Sequence, residues 1–259
     1  MIIFSKEDGF IKAKGISFRD GQDKNIVLPK VGIGVFSRHL YNDIIQKFES
    51  MEIGCLKCAN LERNVYIVRY KDEEFTFFMA GVGSPLIAAD IEELHAQGVQ
   101  KFIIFGNCGV LDKNIEDCSI IIPTMGFRDE GTSYHYLESS SVINMNPKYR
   151  KEFIDVLNKY DFDYTEGYTW TTDAFYRETN EKIKYFKDQG AVSVEMEGTA
   201  IASVCEYLHA DYFTFYYAGD NLDSTVWDER SLNGLVKIDK KKEVALLAFE
   251  LGIAINNIN

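Results

Sequence analysis

Phe75-Thr76-Phe77-Phe78-Met79-Ala80-Gly81-Val82-Gly83-Ser84-Pro85 is an apolar, β-forming run that stops on a glycine-rich turn. Ser84 can cap a helix, and Pro85 can occupy its first turn, where a missing N–H costs nothing. Leu86, Ala89, Ile91, Leu94 and Ala96 then recur at roughly helical spacing as far as Gly98, and Lys101-Phe102-Ile103-Ile104-Phe105 reads as the next buried strand. Strand, helix and strand in this order predict a β-α-β unit with parallel strands.

Working outward, Ser119-Ile120-Ile121-Ile122-Pro123 reads as another strand, and the polar segment from Arg128 to Tyr136 reads as a loop. A helical stretch over residues 147 to 159 precedes strands at Tyr164 to Trp170 and at Val192 to Met196. From Glu197 onward, Ala200, Ile201, Val204, Cys205 and Leu208 mark one helical face. Strand Tyr212 to Ala218 follows, and Leu235 to Ile255 closes the chain as a helix or two. Alternating strands and helices predict an α/β fold, a three-layer α/β/α sandwich around a central mixed, mostly parallel sheet. No linker or repeat divides residues 1–259, so a single domain is expected.

Composition sets the bounds. With 46% hydrophobic and 14% aromatic residues and only 4 prolines, the 259 residues can bury a large core. A net charge of -12 argues against a nucleic-acid or anionic-membrane surface, either of which needs clustered Lys and Arg. A small ligand is expected instead. Glu7 and Asp8 come too early for a signal peptide, and no apolar run approaches the roughly 18 residues of a membrane span, so a soluble cytoplasmic protein is expected. Five cysteines, an odd number, fit reduced thiols. Cys55 and Cys58 form a lone CxxC without a second pair, and His39, His95, His135 and His209 lack ligand spacing, so no metal is expected.

Three strands end in loops rich in glycine and polar groups, at Gly81 to Ser84, Gly106 to Gly109, and Gly219 to Asp223. In open α/β sheets the ligand crevice lies at the carboxyl ends of the strands, so these loops can share one pocket. The Gly81-Val82-Gly83-Ser84 turn is either a tight turn or an anion site built from a helix N-terminus. Glu195 and Glu197 alternate about Met196 and can point to one side of a strand; they are either exposed acids before a helix or acceptors for the paired hydroxyls of a ribose. Asp220 follows an apolar strand, where it serves either as a helix cap or, with its pKa raised by desolvation, as a proton donor. Trp170, Phe175 and Tyr176 flank Thr171-Thr172-Asp173 and offer rings on which a planar base can stack, or simply core.

Taken together, the segments resemble the nucleoside phosphorylase family of purine and uridine phosphorylases and their hydrolase relatives. The resemblance runs from about residue 28 to 230. Its motifs come in the family's order: Ala80-Gly81-Val82-Gly83-Ser84-Pro85, Phe105-Gly106-Asn107-Cys108-Gly109, Arg128-Asp129-Glu130-Gly131-Thr132-Ser133, Thr172-Asp173-Ala174-Phe175-Tyr176, Ser193-Val194-Glu195-Met196-Glu197 and Gly219-Asp220-Asn221. It implies that Met196 and Glu197 contact the ribose, that Phe175 covers the base, and that Glu195 lies near the base edge or ribose. An Asp at the position of Asp220 protonates or hydrogen-bonds N7 of a purine, and Arg230 is the candidate for the arginine that assists it. The implied enzyme is a pentosyltransferase without cofactor, a purine-preferring phosphorylase acting on nucleoside and phosphate, assembled as a homo-oligomer, either dimer or hexamer.

Two departures concern phosphate. The family's arginine two residues before the Gly of the GxCG-like segment is Ile104, and its PGDPxR-like loop is Leu28-Pro29-Lys30-Val31-Gly32-Ile33-Gly34. Lys30, Arg38, Arg63 or a neighbouring subunit's arginine is then needed as the cation, with Asn107, Gly83 and Ser84 as neutral donors. The alternatives are a uridine phosphorylase, a nucleosidase that uses water, and a nucleoside-binding protein without turnover.

Overall fold

The computed structural model describes residues 2–18 and 26–258. Along the chain these form β1 (Ser17–Phe18), β2 (Val31–Val35), α1 (Arg38–Lys47), β3 (Glu49–Cys58), β4 (Leu61–Tyr70), β5 (Glu73–Met79), α2 (Ser84–Ala96), β6 (Lys101–Val110), β7 (Ile120–Asp129), α3 (Ser133–Tyr136), β8 (Val142–Asn144), α4 (Arg150–Lys159), β9 (Tyr164–Thr172), α5 (Asn180–Asp188), β10 (Ala191–Glu195), α6 (Gly198–Leu208), β11 (Asp211–Asn221) and α7 (Ile238–Asn256). The strands make one mixed sheet in the order β1-β3-β4-β5-β2-β6-β10-β9-β7-β11, with β8 beside β7.

Alternation along the strands builds the layers. Ile103 and Phe105 of β6 point into a core shared with Leu40 of α1, Phe153 of α4 and Phe249 of α7. Phe102 and Ile104 point the other way, onto Ile87 and Ile91 of α2 and Ile201 and Val204 of α6. Helices on both faces of a mixed sheet give the three layers that the sequence predicts. Among the described residues, no helix is long and apolar enough to cross a membrane.

The predicted β5-α2-β6 unit forms, but its two strands are not neighbours: β2 lies between them, parallel to both. The family pattern sets Leu28 to Gly34 against a phosphate loop, and here Val31–Val35 is a fully buried central strand. Its glycines are packing devices: a Cβ on Gly34 would fall 2.6 Å from the Phe78 ring, and one on Gly32 2.8 Å from Val99. A second feature went unread in the sequence. Strand β6 pairs with both β10 and β11, and β10-β9-β7-β11 completes the circuit, so this half of the sheet closes on itself.

Two local expectations change. The polar segment after Pro123 is the continuation of β7 to Asp129 and then the short α3, rather than a single loop. Ser84 is the first residue of α2, not its cap; Gly83 takes the cap position with φ +93°, a left-handed conformation suited to glycine.

A buried ion pair fixes the β5–α2 turn. Arg63 of β4 and Asp90 of α2 are 3% and 2% exposed and meet in a two-pronged bond, with Nη2 to Oδ1 at 2.5 Å. Asp90 also accepts from the Gly81 amide at 2.8 Å, and Arg63 donates to the Met79 carbonyl at 3.1 Å. Asp90→Ala therefore strands a buried guanidinium and should cost about 3–5 kcal/mol, read as a drop in the urea midpoint. The double variant Arg63→Met with Asp90→Leu should recover most of that loss, and a single variant within 1 kcal/mol of wild type would refute the pair's role.

Candidate active site

Asn107 marks the opening. It sits in the middle of β6, where Phe102 to Phe105 are at most 1% exposed, yet its own side chain is exposed. The central strand therefore faces a depression at its carboxyl end. The Gly219 to Asp223 segment meets the β6 loop there: a Cβ on Gly219 would lie 3.4 Å from Asn107 Cβ, and one on Gly109 would lie 3.0 Å from Val194 and 3.3 Å from Asp220 Oδ1. The third loop read from the sequence, Gly81 to Ser84, joins this group through its bonds to Met196 and Glu197 at the end of β10.

Glu195 has a different job from the ribose or base contact that the family pattern implies. Its Oε2 accepts from the Glu197 and Gly198 amides at 2.7 and 2.5 Å, and its Oε1 from the Thr171 hydroxyl at 2.5 Å. It is 6% exposed. Burial raises its pKa, and the Thr171 hydroxyl and the two amides pull it back. Since Thr171 Oγ1 itself accepts from the Thr199 amide, its proton points at Glu195, and every neighbour donates. Glu195 is thus an acceptor-only carboxylate locking the start of α6.

Met196 and Glu197 are presented by that lock, and they in turn hold the β5–α2 turn. The Gly83 amide donates to Glu197 Oε1 at 2.6 Å, and the Ser84 hydroxyl to the Met196 carbonyl at 2.7 Å. The Gly83 amide, one of the neutral phosphate donors read from the sequence, is therefore engaged by the protein, as is the Ser84 hydroxyl. Burial first, and then the charge of Glu195, push Glu197 up to about 8. Glu197 is thus the member of this close pair that keeps its proton at neutral pH.

Asp220 is partly buried at the end of β11, and its Oδ2 accepts from the Trp227 indole N–H at 2.7 Å. Trp227 was missed in the sequence, which carried only a loop residue seven positions on. Arg230 is not brought to Asp220. Its guanidinium donates to the carbonyls of Ile115 at 2.8 Å and Lys113 at 3.4 Å, and Asp228 lies beside its Nε. The loop from Asp220 turns back through the Asn221–Asp228 bridge, which aims residue 230 at the β6–β7 connection. Phe175 is 51% exposed and packs, tilted by 41°, at 4.1 Å from Tyr176, which is 88% exposed, so both rings stand open to solvent.

The candidate cations separate clearly. Lys30 precedes β2, whose first residue lies opposite Lys101, the start of β6. It therefore sits at the far end of the sheet, about 20 Å from Asn107 at 3.3 Å per residue. Arg63 is consumed by Asp90, and Ile104 is core. Arg38 remains. Phe36 packs on Gly106, Ser37 caps α1, and Arg38 opens that helix at the pocket edge, exposed and without an ion pair among the described residues.

The family model described as Phosphorylase superfamily matches residues 30–250. The chain belongs to the phosphorylase superfamily. Among relatives, the guanosine phosphorylase of Halorubrum lacusprofundi is 29% identical over 150 residues, covering 56% of this chain and 61% of that one. The chain thus spans less than two thirds of that relative. The DeoD-type purine nucleoside phosphorylase of Colwellia psychrerythraea is 25% identical over 67% of this chain and 77% of its own. Among solved structures, the purine nucleoside phosphorylase from Toxoplasma gondii in complex with immucillin-H superposes with a TM-score of 0.75 at 18% identity. The uridine phosphorylase from Vibrio fischeri gives 0.74 at 21% identity, and each alignment covers 95% of this chain and 98% of the other. These structures share the nucleoside phosphorylase fold with this superfamily member.

Within this phosphorylase-superfamily pocket, the buried acid gives a stability signature. Glu197 titrates at 4.5 when unfolded and about 8 when folded, so between those values the folded state holds more protons and its stability falls as pH rises. Glu197→Gln removes that slope. In urea titrations the variant should gain on wild type by a few kcal/mol between pH 5 and pH 8. A difference that stays constant across this window would show that Glu197 is ionised throughout.

Proposed function

We propose that this chain is a purine-preferring nucleoside phosphorylase, a pentosyltransferase that cleaves the N-glycosidic bond by attack of phosphate on C1′ of the ribose. The observation that carries the reading is the meeting of Glu197, Asn107 and Asp220 at the carboxyl ends of three paired strands, with Phe175 and Tyr176 free above them. Glu197 and Met196 hold the ribose; Glu197, neutral before binding, can donate as well as accept toward the two hydroxyls. Asp220 faces N7 of the departing purine and stabilises the negative charge that leaves with it by giving a proton, while the sugar gains oxocarbenium character. Trp227, donating to Asp220 Oδ2, fixes the carboxyl's orientation. Arg38 and Asn107 receive the phosphate, with the N-terminus of α1 behind Arg38. No cofactor enters this scheme. The relatives named for purine and guanosine phosphorolysis support the same assignment, and the exposed Val82, Phe175 and Tyr176 around the mouth suit a homo-oligomer, dimer or hexamer, that covers them.

One observation favours a rival, the nucleosidase that uses water. Lys30, Arg63 and Ile104 all fail as phosphate ligands, so Arg38 stands alone among the cations weighed. The assay is incubation with inosine, adenosine and uridine, with and without phosphate, and identification of the sugar. Ribose 1-phosphate from inosine, formed only with phosphate, is expected; free ribose regardless of phosphate would replace this reading with the hydrolase. Arg38→Gln should raise the KM for phosphate tenfold or more while changing the KM for nucleoside less than threefold, in line with the loss of a charge-assisted hydrogen bond.

A further inference from the structure

The floor beneath the start of α6 holds one donor that the scheme above leaves unused. Tyr216 of β11 is 2% exposed and clusters with Cys108, Ile121 and Ala218. Its hydroxyl has no hydrogen-bond partner among the described residues. The Thr214 hydroxyl, two residues back on the same strand, is given to the Ile104 carbonyl at 2.9 Å. A phenylalanine would fill the same space without burying an unpaired O–H, so the hydroxyl costs stability where it stands.

What that hydroxyl flanks is Glu195. Only Gly198 lies between them: a Cβ there would collide with Tyr216 Oη and lie 2.9 Å from Glu195 Oε1 and 3.2 Å from its Cδ. The carboxylate also has a place for another donor. It offers about four acceptor positions. The Glu197 and Gly198 amides fill the two on Oε2, and Thr171 fills one on Oε1. The last holds the Thr169 hydroxyl at 3.5 Å, long for a bond to a carboxylate. Burial first, and then the charge of Glu195, hold the Tyr216 phenol well above its ordinary pKa, so toward a carboxylate it can only donate. An unspent donor and a weakly used acceptor position thus stand on either side of one bare Cα.

Resting on the nucleoside-cleaving reading above, we propose that Tyr216 is a positioning residue for that reaction, its hydroxyl a reserve donor that closes on Glu195 Oε1 when nucleoside is bound. Ribose hydroxyls donating to Glu197, and the positive charge that gathers on the sugar as the glycosidic bond breaks, both draw negative charge onto the Glu195–Glu197 pair. A further donor on Glu195 lowers the cost of that charge in a poorly solvated site, most of all in the transition state, where the charge is greatest. Tyr216 meets neither nucleoside nor phosphate. It acts through Glu195, which carries Met196 and Glu197.

Two sets of measurements on the full chain test this. Tyr216→Phe should leave the urea midpoint unchanged or raise it, while lowering kcat for inosine cleavage about tenfold and changing the KM for inosine less than about threefold. A merely structural hydroxyl cannot separate stability from activity in this way. A lower urea midpoint would mean that the hydroxyl is already bonded in the free protein, and a kcat within about threefold of wild type would mean that it does not serve the reaction; either overturns the proposal. In protein labelled with 13C at tyrosine Cζ, the resonance missing from Tyr216→Phe should move downfield when inosine is added in phosphate-free buffer, as a phenol does on donating to a carboxylate. A resonance that stays in place overturns the proposal as well. Wild-type protein that cleaves no nucleoside would sink the functional reading and this proposal with it, whereas an active wild type matched by Tyr216→Phe would sink the proposal alone.

Discussion

Glu195, sealed beneath the start of α6, accepts two backbone amides and a threonine hydroxyl, and the rest of the pocket is placed through it. The amides it satisfies are donors that a helix start leaves without partners, and its charge suits the positive end of the helix dipole. With α6 anchored there, Met196 and Glu197 are turned toward Ser84 and Gly83, and α2 is tied to the carboxyl end of β10. The other side of the same turn is pinned by Arg63 and Asp90. Thr199 extends the anchor to Glu130, which also accepts from the Ser133 amide, so the β7–α3 connection is held by the same buried set. A charge this deep is tolerable because it is fully hydrogen-bonded. Burial first, and then the repulsion of this charge, keep Glu197 neutral.

The phosphate of the proposed reaction has to approach a chain of net charge -12. The fold answers this locally. Helices α1 and α2 follow the parallel strands β2 and β5, and the bonds of Gly83 and Ser84 to Glu197 and Met196 bring the start of α6 to the same edge of the sheet. Two of those ends are spent on internal carboxylates, Glu197 and Glu195, and the third begins with Arg38, which has no ion pair among the described residues. The positive potential of the pocket is therefore concentrated on the α1 side, away from Asp220.

The sequence showed the elements with strong signals. The run from Phe75 to Phe105 gave β5, α2 and β6 because strand and helix periods change sharply at Gly83. Met196, Glu197, Asn107 and Asp220 were legible as a set because each follows an apolar strand. What was hidden depended on partners distant in the chain. Gly32 and Gly34 read as punctuation, yet they are vacancies cut for Val99 and Phe78. Glu195 looked like Glu197, and only the position of Thr171 on the adjoining strand distinguishes a lock from a ligand contact. Lys30 and Arg38, eight residues apart, fall at opposite ends of β2, a difference no reading of charge alone can see. Arg230 sits ten residues past Asp220, but a bridge between Asn221 and Asp228 reverses the chain before it can reach back.

The closed circuit of strands has a consequence for how the molecule is made. Lys101 of β6 lies opposite Asp211 of β11, so the edge of β6 away from β2 waits for chain that comes roughly a hundred residues later, and its end at Gly109 and Val110 waits for β10. A ribosome delivering about 5–20 residues per second leaves that edge of the apolar strand unmated for several seconds. During that interval β2 and β5, already synthesised, can cover one flank, and α2 one face. Closure also retires these edges permanently, since a strand with neighbours on both sides offers no template for another chain. Assembly of the pocket and protection from aggregation are thus completed by one late event, the arrival of β11.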